Sequence, residues 1–473
     1  MIWCPPILVD TSCLRALRFR RCAEIRAYDL PTDDATALES KLTLARKRFE
    51  DRRGWLQPHQ RRAVLLRLAD LVLQQRETFA KRIAREGGKP YTDALVETDR
   101  AIDGIQNAAE LLRSRGGSEI PMGVTPASEG RRAWTILEPI GVVAAISAFN
   151  HPLNLIVHQI APAIATGCPV IVKPAATTPL SCLELVKLVH EAGIPDGWVQ
   201  TLLPESRDLS SAFASDPRIA FLSFIGSAAV GWHLRANLAP GTRCALEHGG
   251  VAPVIIDQTA DIDAIIEPLA KGGYYHAGQV CVSVQRIYVH GSLKDAFVER
   301  FAERVGRLRV GDPLLAQTEV GPLITPEEAD RVADWVAQAA SDGARLVGGG
   351  RLSSTTLAPA VLMEPPQKST ISHEEAFGPV TCIFSFSSLD EAIHEANSLP
   401  VSFQSSIFTR DLAVALKAAE RLDASTVMVN DHSAFRTDWM PFAGRRTSGY
   451  GVGGIPYTAR EMTAEKMIVF RQP

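Results

Sequence analysis

Ile140-Gly141-Val142-Val143-Ala144-Ala145-Ile146 comes after Pro139 and is apolar at every position except its glycine. A run apolar on both faces reads as a strand buried on both sides, the mark of a parallel sheet covered by helices. The chain beyond Ile146 alternates at a regular pitch. Helix Leu155–Thr166 leads to strand Val170–Val172, and helix Cys182–Glu191 to strand Val199–Leu203. Helix Asp208–Ala214 precedes strand Ile219–Phe224, and helix Ala229–Leu238 precedes strand Arg243–Glu247. Such alternation implies right-handed βαβ crossovers and an open parallel sheet. Ligands of these sheets bind outside the carboxyl ends of the strands. The residues to read are therefore Phe149-Asn150-His151, Lys173-Pro174, Gly226-Ser227 and Glu247.

Outward from this block, Pro58–Ala84 carries apolar residues at helical spacing and stops at Gly87-Gly88. A second helix runs from near Asp93 to Leu112. A second α/β alternation extends from near Val254 to about Asn430, and an apolar strand is expected over Val282–Val289. Met462–Phe470 alternates weakly and could be a strand donated to a partner subunit. Met1–Leu30 holds three cysteines and five arginines with no helical or strand period. The arginines allow a transit peptide, but Asp10, Glu24 and Asp29 argue against one.

At 473 residues the chain is too long for one core. A net charge of −3, with 22% charged residues, points to neither nucleic acid nor an anionic membrane. No apolar run is long enough to span a bilayer. The eight cysteines form no CxxC pair, so neither a disulfide framework nor a zinc site is indicated, and a cytoplasmic setting is expected.

Several residues carry chemistry, each with a plainer alternative. Gly226 and Gly231, with Ser227, sit where a strand meets a helix, a place that can hold a pyrophosphate or simply make a tight turn. The spacing is not the usual GxGxxG. Lys173 ends an apolar strand and can reach a ribose or phosphate, or be a solvated strand end. Cys281, after Gly278-Gln279-Val280, is either a buried structural thiol or a nucleophile. Glu247 precedes Gly249-Gly250 and is either a turn residue or a general base. Asn150 is either an N-cap or turn residue or an oxyanion donor.

The ordered set Phe149-Asn150-His151-Pro152, Lys173-Pro174, Gly226 to Gly231, Glu247-His248-Gly249-Gly250, Gly278-Gln279-Val280-Cys281, Glu375-Ala376-Phe377-Gly378-Pro379 and Pro441-Phe442-Ala443-Gly444 resembles the aldehyde dehydrogenase superfamily. The resemblance spans roughly Thr32 to Arg471 and is closest to the branch containing lactaldehyde and phosphonoacetaldehyde dehydrogenases. It implies an α/β fold: an open parallel-sheet cofactor domain (31–115 and 138–248), a second α/β catalytic domain (249–430), and oligomerisation segments (116–137 and 455–473). It also implies NAD or NADP as cofactor, no metal, and a homodimer or homotetramer.

By the same resemblance Cys281 is the nucleophile, Glu247 the general base, and Asn150 with the Cys281 backbone NH the oxyanion site. Lys173 and Glu375 would hold the two riboses, Ser227 the pyrophosphate, and Phe377 would pack near the nicotinamide. An adduct on Cys281 would pass hydride to the nicotinamide, and Glu247 would activate water to release the acid. A CoA-acylating relative usually lacks such a base.

Three departures stand out. The glutamate often found after the lysine-proline element is replaced in Lys173-Pro174-Ala175-Ala176. Its loss removes repulsion against a 2′-phosphate, so NADP should be tolerated and even preferred. Nothing before Pro31 resembles the family's initial strand pair. Ser448-Gly449-Tyr450-Gly451 lacks the charges common there.

The expected substrate is a small anionic aldehyde. Arg436 and Arg100 would grip the anion and His151 would add a donor. The plainer readings are a solvated loop for Arg436 and a surface pair with Glu97 for Arg100. Alternatives are a non-phosphorylating glyceraldehyde-3-phosphate or semialdehyde dehydrogenase and, in another class, a non-catalytic structural or binding relative.

Overall fold

The computed structural model describes residues 30–471, together with the backbone of residues 17–18 and 29. The rest of the unusual amino-terminal segment lies outside the described residues. Within it, Leu17–Arg18 pairs antiparallel with Asp29–Leu30, so a short strand pair stands where no strand period was legible.

The expected alternation builds a six-stranded sheet in the order Gly449–Tyr450, Arg243–Glu247, Ile219–Ile225, Val142–Ile146, Val170–Lys173, Val199–Thr201. Five strands are parallel, and only Gly449–Tyr450 runs antiparallel, beside Glu247. All five residues of Val142–Ile146 are buried, as expected for the central strand. Chain order runs outward from it in both directions, which makes its carboxyl end a topological switch point. Asn154–Thr166, buried throughout, packs on one face with the helices Pro58–Gln74 and Tyr91–Ser114.

The second alternation forms a seven-stranded sheet ordered Arg345–Gly348, Ala360–Met363, Val380–Phe386, Arg286–His290, Pro253–Ile256, Gln404–Phe408, Thr426–Val429. Only Arg345–Gly348 is antiparallel to its neighbour. A separate antiparallel sheet joins Thr463–Arg471, Arg131–Pro139 and Glu119–Ile120.

Three expectations are corrected. The pattern over Pro58–Ala84 is two helices, Pro58–Gln74 and Arg76–Gly87, because Gln75 leaves helical geometry. The strand after Cys281 begins only at Arg286, since Ser283 NH bonds to Val280 O and Val284 NH to Gly272 O, holding residues 280–284 in a turn. The C-terminal strand pairs along its whole length with Arg131–Pro139 of the same chain.

Candidate active site

One cavity of about 1150 Å³ opens over the carboxyl ends of the six-stranded sheet and reaches the loop that carries Cys281. That exceeds the usual range for a single small ligand and leaves room for a dinucleotide and a substrate together. Its walls include Asn150, His151, Lys173, Gly226, Ser227, Glu247, Cys281, Glu375, Phe377, Arg100 and Arg436. Of the site residues expected from sequence, only Gly231 is not part of the wall.

The Cys281 loop is held from behind. Val280 and Val282 are buried against Phe403 and Phe442, and the half-buried Cys281 between them packs on the same cluster and lines the cavity. Gln279 accepts from Ile324 NH (2.9 Å) and donates to the carbonyls of His276 (3.2 Å) and Pro322 (3.3 Å). His276 and Ala277 have φ of 51° and 55°, left-handed conformations that cost energy in residues with a Cβ. Gly278, at φ 71°, must be glycine, since a Cβ would lie 2.1 Å from Gly378 O. Burial pushes the Cys281 thiol up to about 12; Glu375 adds to the rise and Arg436 opposes it. The group is therefore a thiol at neutral pH, and a thiolate needs a neighbouring base.

Glu247 ends its strand at the cavity floor. Burial raises its carboxyl to about 7, against the pull of Arg436, so it exchanges a proton near neutrality. Gly453 makes room for it: a Cβ there would lie 1.9 Å from Glu247 Oε1. Asn150, 5% exposed, donates one Nδ2 hydrogen to Gln279 O (3.0 Å). That bond orients the amide and ties it to the thiol's own loop.

At the other end, Gly226 NH donates to Glu247 O (3.0 Å), so this amide is not free for a phosphate as expected. Gly231 is corrected more fully. A Cβ on it would lie 2.0 Å from the His248 ring, so its small size serves packing rather than a ligand. Ser227 stands at the N-terminus of the nine-residue helix Ala228–Ala236, at the cavity, with its side chain making no capping bond. Among the described residues Lys173 has one long hydrogen bond, to Pro174 O at 3.4 Å, and burial lowers its pKa. Among the described residues Glu375 Oε1 is buried without a partner, its carboxylate lying where a Cβ on Gly249 would be. Phe377 takes φ 47° and meets Phe149 edge-on at 5.7 Å. An orphaned carboxylate oxygen and a nearly unpartnered lysine in an apolar trough fit the two riboses of a nicotinamide dinucleotide.

The substrate end differs from expectation. Arg100 pairs with Asp438, not Glu97: Nε to Oδ2 is 3.1 Å and Nη2 to Oδ1 is 2.8 Å. Glu97 instead pairs with the buried Lys89 and accepts from the NH groups of Leu153 and Asn154. His151 Nδ1 lies 2.8 Å from Lys89 Nζ, and burial with the surrounding cations holds the ring neutral. Arg436 has no carboxylate within ion-pairing distance among the described residues. It lies over the Phe442 ring at 3.5 Å, and its Nη2 meets His158 Nδ1 at 3.3 Å. Sequence reading missed Lys89, His158 and Asp438. Asp438 stands two residues from Arg436, which was its only signal. It also missed Arg207, an exposed cation on the wall.

A dinucleotide-sized trough at a parallel-sheet switch point, meeting a loop-borne cysteine with a carboxylate near its titration point, defines a nicotinamide-dependent oxidoreductase working through a thiol. More particularly, the chain belongs to the aldehyde dehydrogenase family, whose model matches residues 22–468. It oxidises an aldehyde to the acid with NAD or NADP. It is 37% identical to the 3-sulfolactaldehyde dehydrogenase of Priestia megaterium, over 87% of this chain and 86% of that protein. Among solved structures it resembles aldehyde dehydrogenase 21 of Physcomitrella patens in complex with its product succinate (TM-score 0.94, 34% identity, 98% and 96% of the two chains). It also resembles the glyceraldehyde-3-phosphate dehydrogenase of Methanocaldococcus jannaschii complexed with NADP (TM-score 0.91, 33% identity, 98% and 100% covered).

Proposed function

We propose that the substrate is a short aldehyde with a terminal anion (sulfonate, phosphonate, phosphate or carboxylate), and that Arg436 receives the anion. The carrying observation is a half-buried guanidinium on the wall that holds Cys281, with no carboxylate of its own among the described residues. A cation taken out of water without a counter-ion gains strongly from a ligand that supplies one. Arg100 contributes less, its charge being compensated by Asp438, and neutral His151 contributes a hydrogen bond. The substrates named for two of the relatives, 3-sulfolactaldehyde and glyceraldehyde 3-phosphate, are anionic aldehydes and support this reading.

In the proposed chemistry Glu247 draws the proton from Cys281, directly or through water, and the sulfur attacks the aldehyde carbon. The developing oxyanion is received by Asn150 Nδ2 and the Cys281 backbone NH. Lys173 and Glu375 would hold the riboses of a nicotinamide dinucleotide and Ser227 its pyrophosphate, and the group would supply the hydride acceptor. Glu247 then activates the water that releases the acid from Cys281.

The test is a panel comparing sulfoacetaldehyde, phosphonoacetaldehyde, glyceraldehyde 3-phosphate and succinic semialdehyde with propanal. The expected result is a kcat/KM for the best anionic aldehyde about 100-fold above that for propanal, a preference that Arg436→Met removes. Equal values for propanal in the native enzyme would refute the anion.

For the cofactor, Ala176 is exposed and supplies no carboxylate, while Arg207 is an exposed cation on the cavity wall. NADP should therefore be used at least as well as NAD. Arg207→Ala should raise the KM for NADP about tenfold and leave that for NAD unchanged. An enzyme that NADP does not saturate would contradict this.

We assign 31–115 and 138–248 to cofactor binding, 249–430 to the catalytic half, and 116–137 with 455–473 to oligomerisation. Supporting the last, the three-stranded sheet exposes Met467 and Val469 on one face and Trp134 and Phe470 on the other. Apolar area of this kind suits a partner copy. A light-scattering mass of one chain would exclude it. The free cysteines Cys168, Cys182, Cys244 and Cys382, all buried, suit a cytoplasmic, reducing setting. Detection of the protein in a secreted fraction would count against that placement.

A further inference from the structure

Arg436 is unpaired although Asp438 lies two residues away, and the intervening geometry explains how. Asp438, 1% exposed, accepts from Arg100, from Asn154 Nδ2 (3.0 Å) and from His158 Nε2 (2.7 Å). A carboxylate only accepts, so Nε2 of His158 carries the proton. The ring is kept neutral by burial and by Arg436, which together lower its pKa to about 4 despite Asp438. Its Nδ1 is then a bare lone pair, and Arg436 Nη2 donates to it at 3.3 Å. His158 is 4% exposed and is not part of the cavity wall, so it touches no substrate.

We infer that His158, with its tautomer set by Asp438, is a positioning residue that aims Arg436 at the substrate anion while keeping it out of direct contact with the Asp438 carboxylate. This rests on the anionic-substrate reading and adds the device that preserves it. A direct Arg436–Asp438 pair would orient the guanidinium equally well but would cancel the charge an anion needs. A neutral imidazole does the first without the second. Asp438 meanwhile has its charge met by Arg100, and the Phe442 ring under Arg436 supplies a face that does not compete for its hydrogens.

The readout is selectivity: the ratio of kcat/KM for the preferred anionic aldehyde to that for propanal. His158→Leu should lower the ratio about tenfold, chiefly through the KM of the anionic substrate, with propanal turnover nearly unchanged. His158→Gln can donate to Asp438 and accept from Arg436, so it should stay within about threefold of native. His158→Asp brings a carboxylate to Arg436 and should lower the ratio about 100-fold. Melting temperatures and propanal kinetics separate these effects from misfolding, and the glutamine variant keeps the test open if the leucine variant does not fold. An unchanged ratio in both the leucine and aspartate variants would overturn the inference, as would a glutamine variant that falls as far as leucine. If Arg436→Met itself leaves the ratio unchanged, the anionic-substrate reading fails and this inference with it. A drop with Arg436→Met but none with the His158 variants defeats the inference alone.

Discussion

Cys281→Ala is expected to remove aldehyde-dependent reduction of NAD(P) altogether, a fall of at least about 10⁴-fold, with the fold and cofactor binding intact. The loop explains why so small a change has so large an effect. Its backbone is anchored through Gln279, Gly278 and the buried Val280 and Val282, none of which needs the sulfur. Melting temperature and cofactor affinity should therefore match the native enzyme. Stopped-flow absorbance should show no burst, because without a covalent adduct no hydride donor forms. A Cys281→Ala enzyme retaining even a tenth of its turnover would mean that Cys281 is not the acyl carrier. Cys281→Ser is a sharper companion. A hydroxyl is far less acidic than a thiol, and a site whose burial already pushes the thiol up to about 12 would leave the alcohol inert.

Legibility differed by kind of information. The parallel sheet was readable because Val142–Ile146 and its neighbours are buried on both faces, so period and composition are set by local burial. The break at Gln75 and the turn through Val284 were not, because both depend on distant contacts: helix packing in one case, the Gly272 carbonyl in the other. Among site residues, Cys281, Glu247 and Asn150 sit in motifs with their own local punctuation. Gly231 was read as a phosphate contact because a glycine's reason lies in what it faces, here the His248 ring. Arg100 was set beside Glu97 by helical spacing, yet its partner is 338 residues away. No single-sequence pattern carries such a pairing. For the same reason Arg436 could be named but not explained, since its partner His158 lies far away in sequence, on the helix Asn154–Thr166.

Glu247→Gln should separate the two halves of the reaction. Acylation of Cys281 should survive in part, because the thiol's proton can still leave through water, but release of the acid should slow about 10³-fold. The expected trace is a burst of about one equivalent of reduced cofactor per subunit and then almost no turnover. Intact-protein mass spectrometry should then find the acyl group on Cys281. The native enzyme provides the matching pH dependence. With Glu247 raised to about 7 by burial, its basic form grows as pH rises through neutrality. Steady-state kcat should climb across that range and level off above it wherever hydrolysis limits the rate. Arg436 opposes the rise, so Arg436→Met should move the same limb to higher pH. In Glu247→Gln the limb should vanish rather than shift. A glutamine variant with full steady-state turnover, or one whose pH limb survives, would show that another group handles the water. A burst that disappears along with turnover would show that the thiol proton has no route except through Glu247.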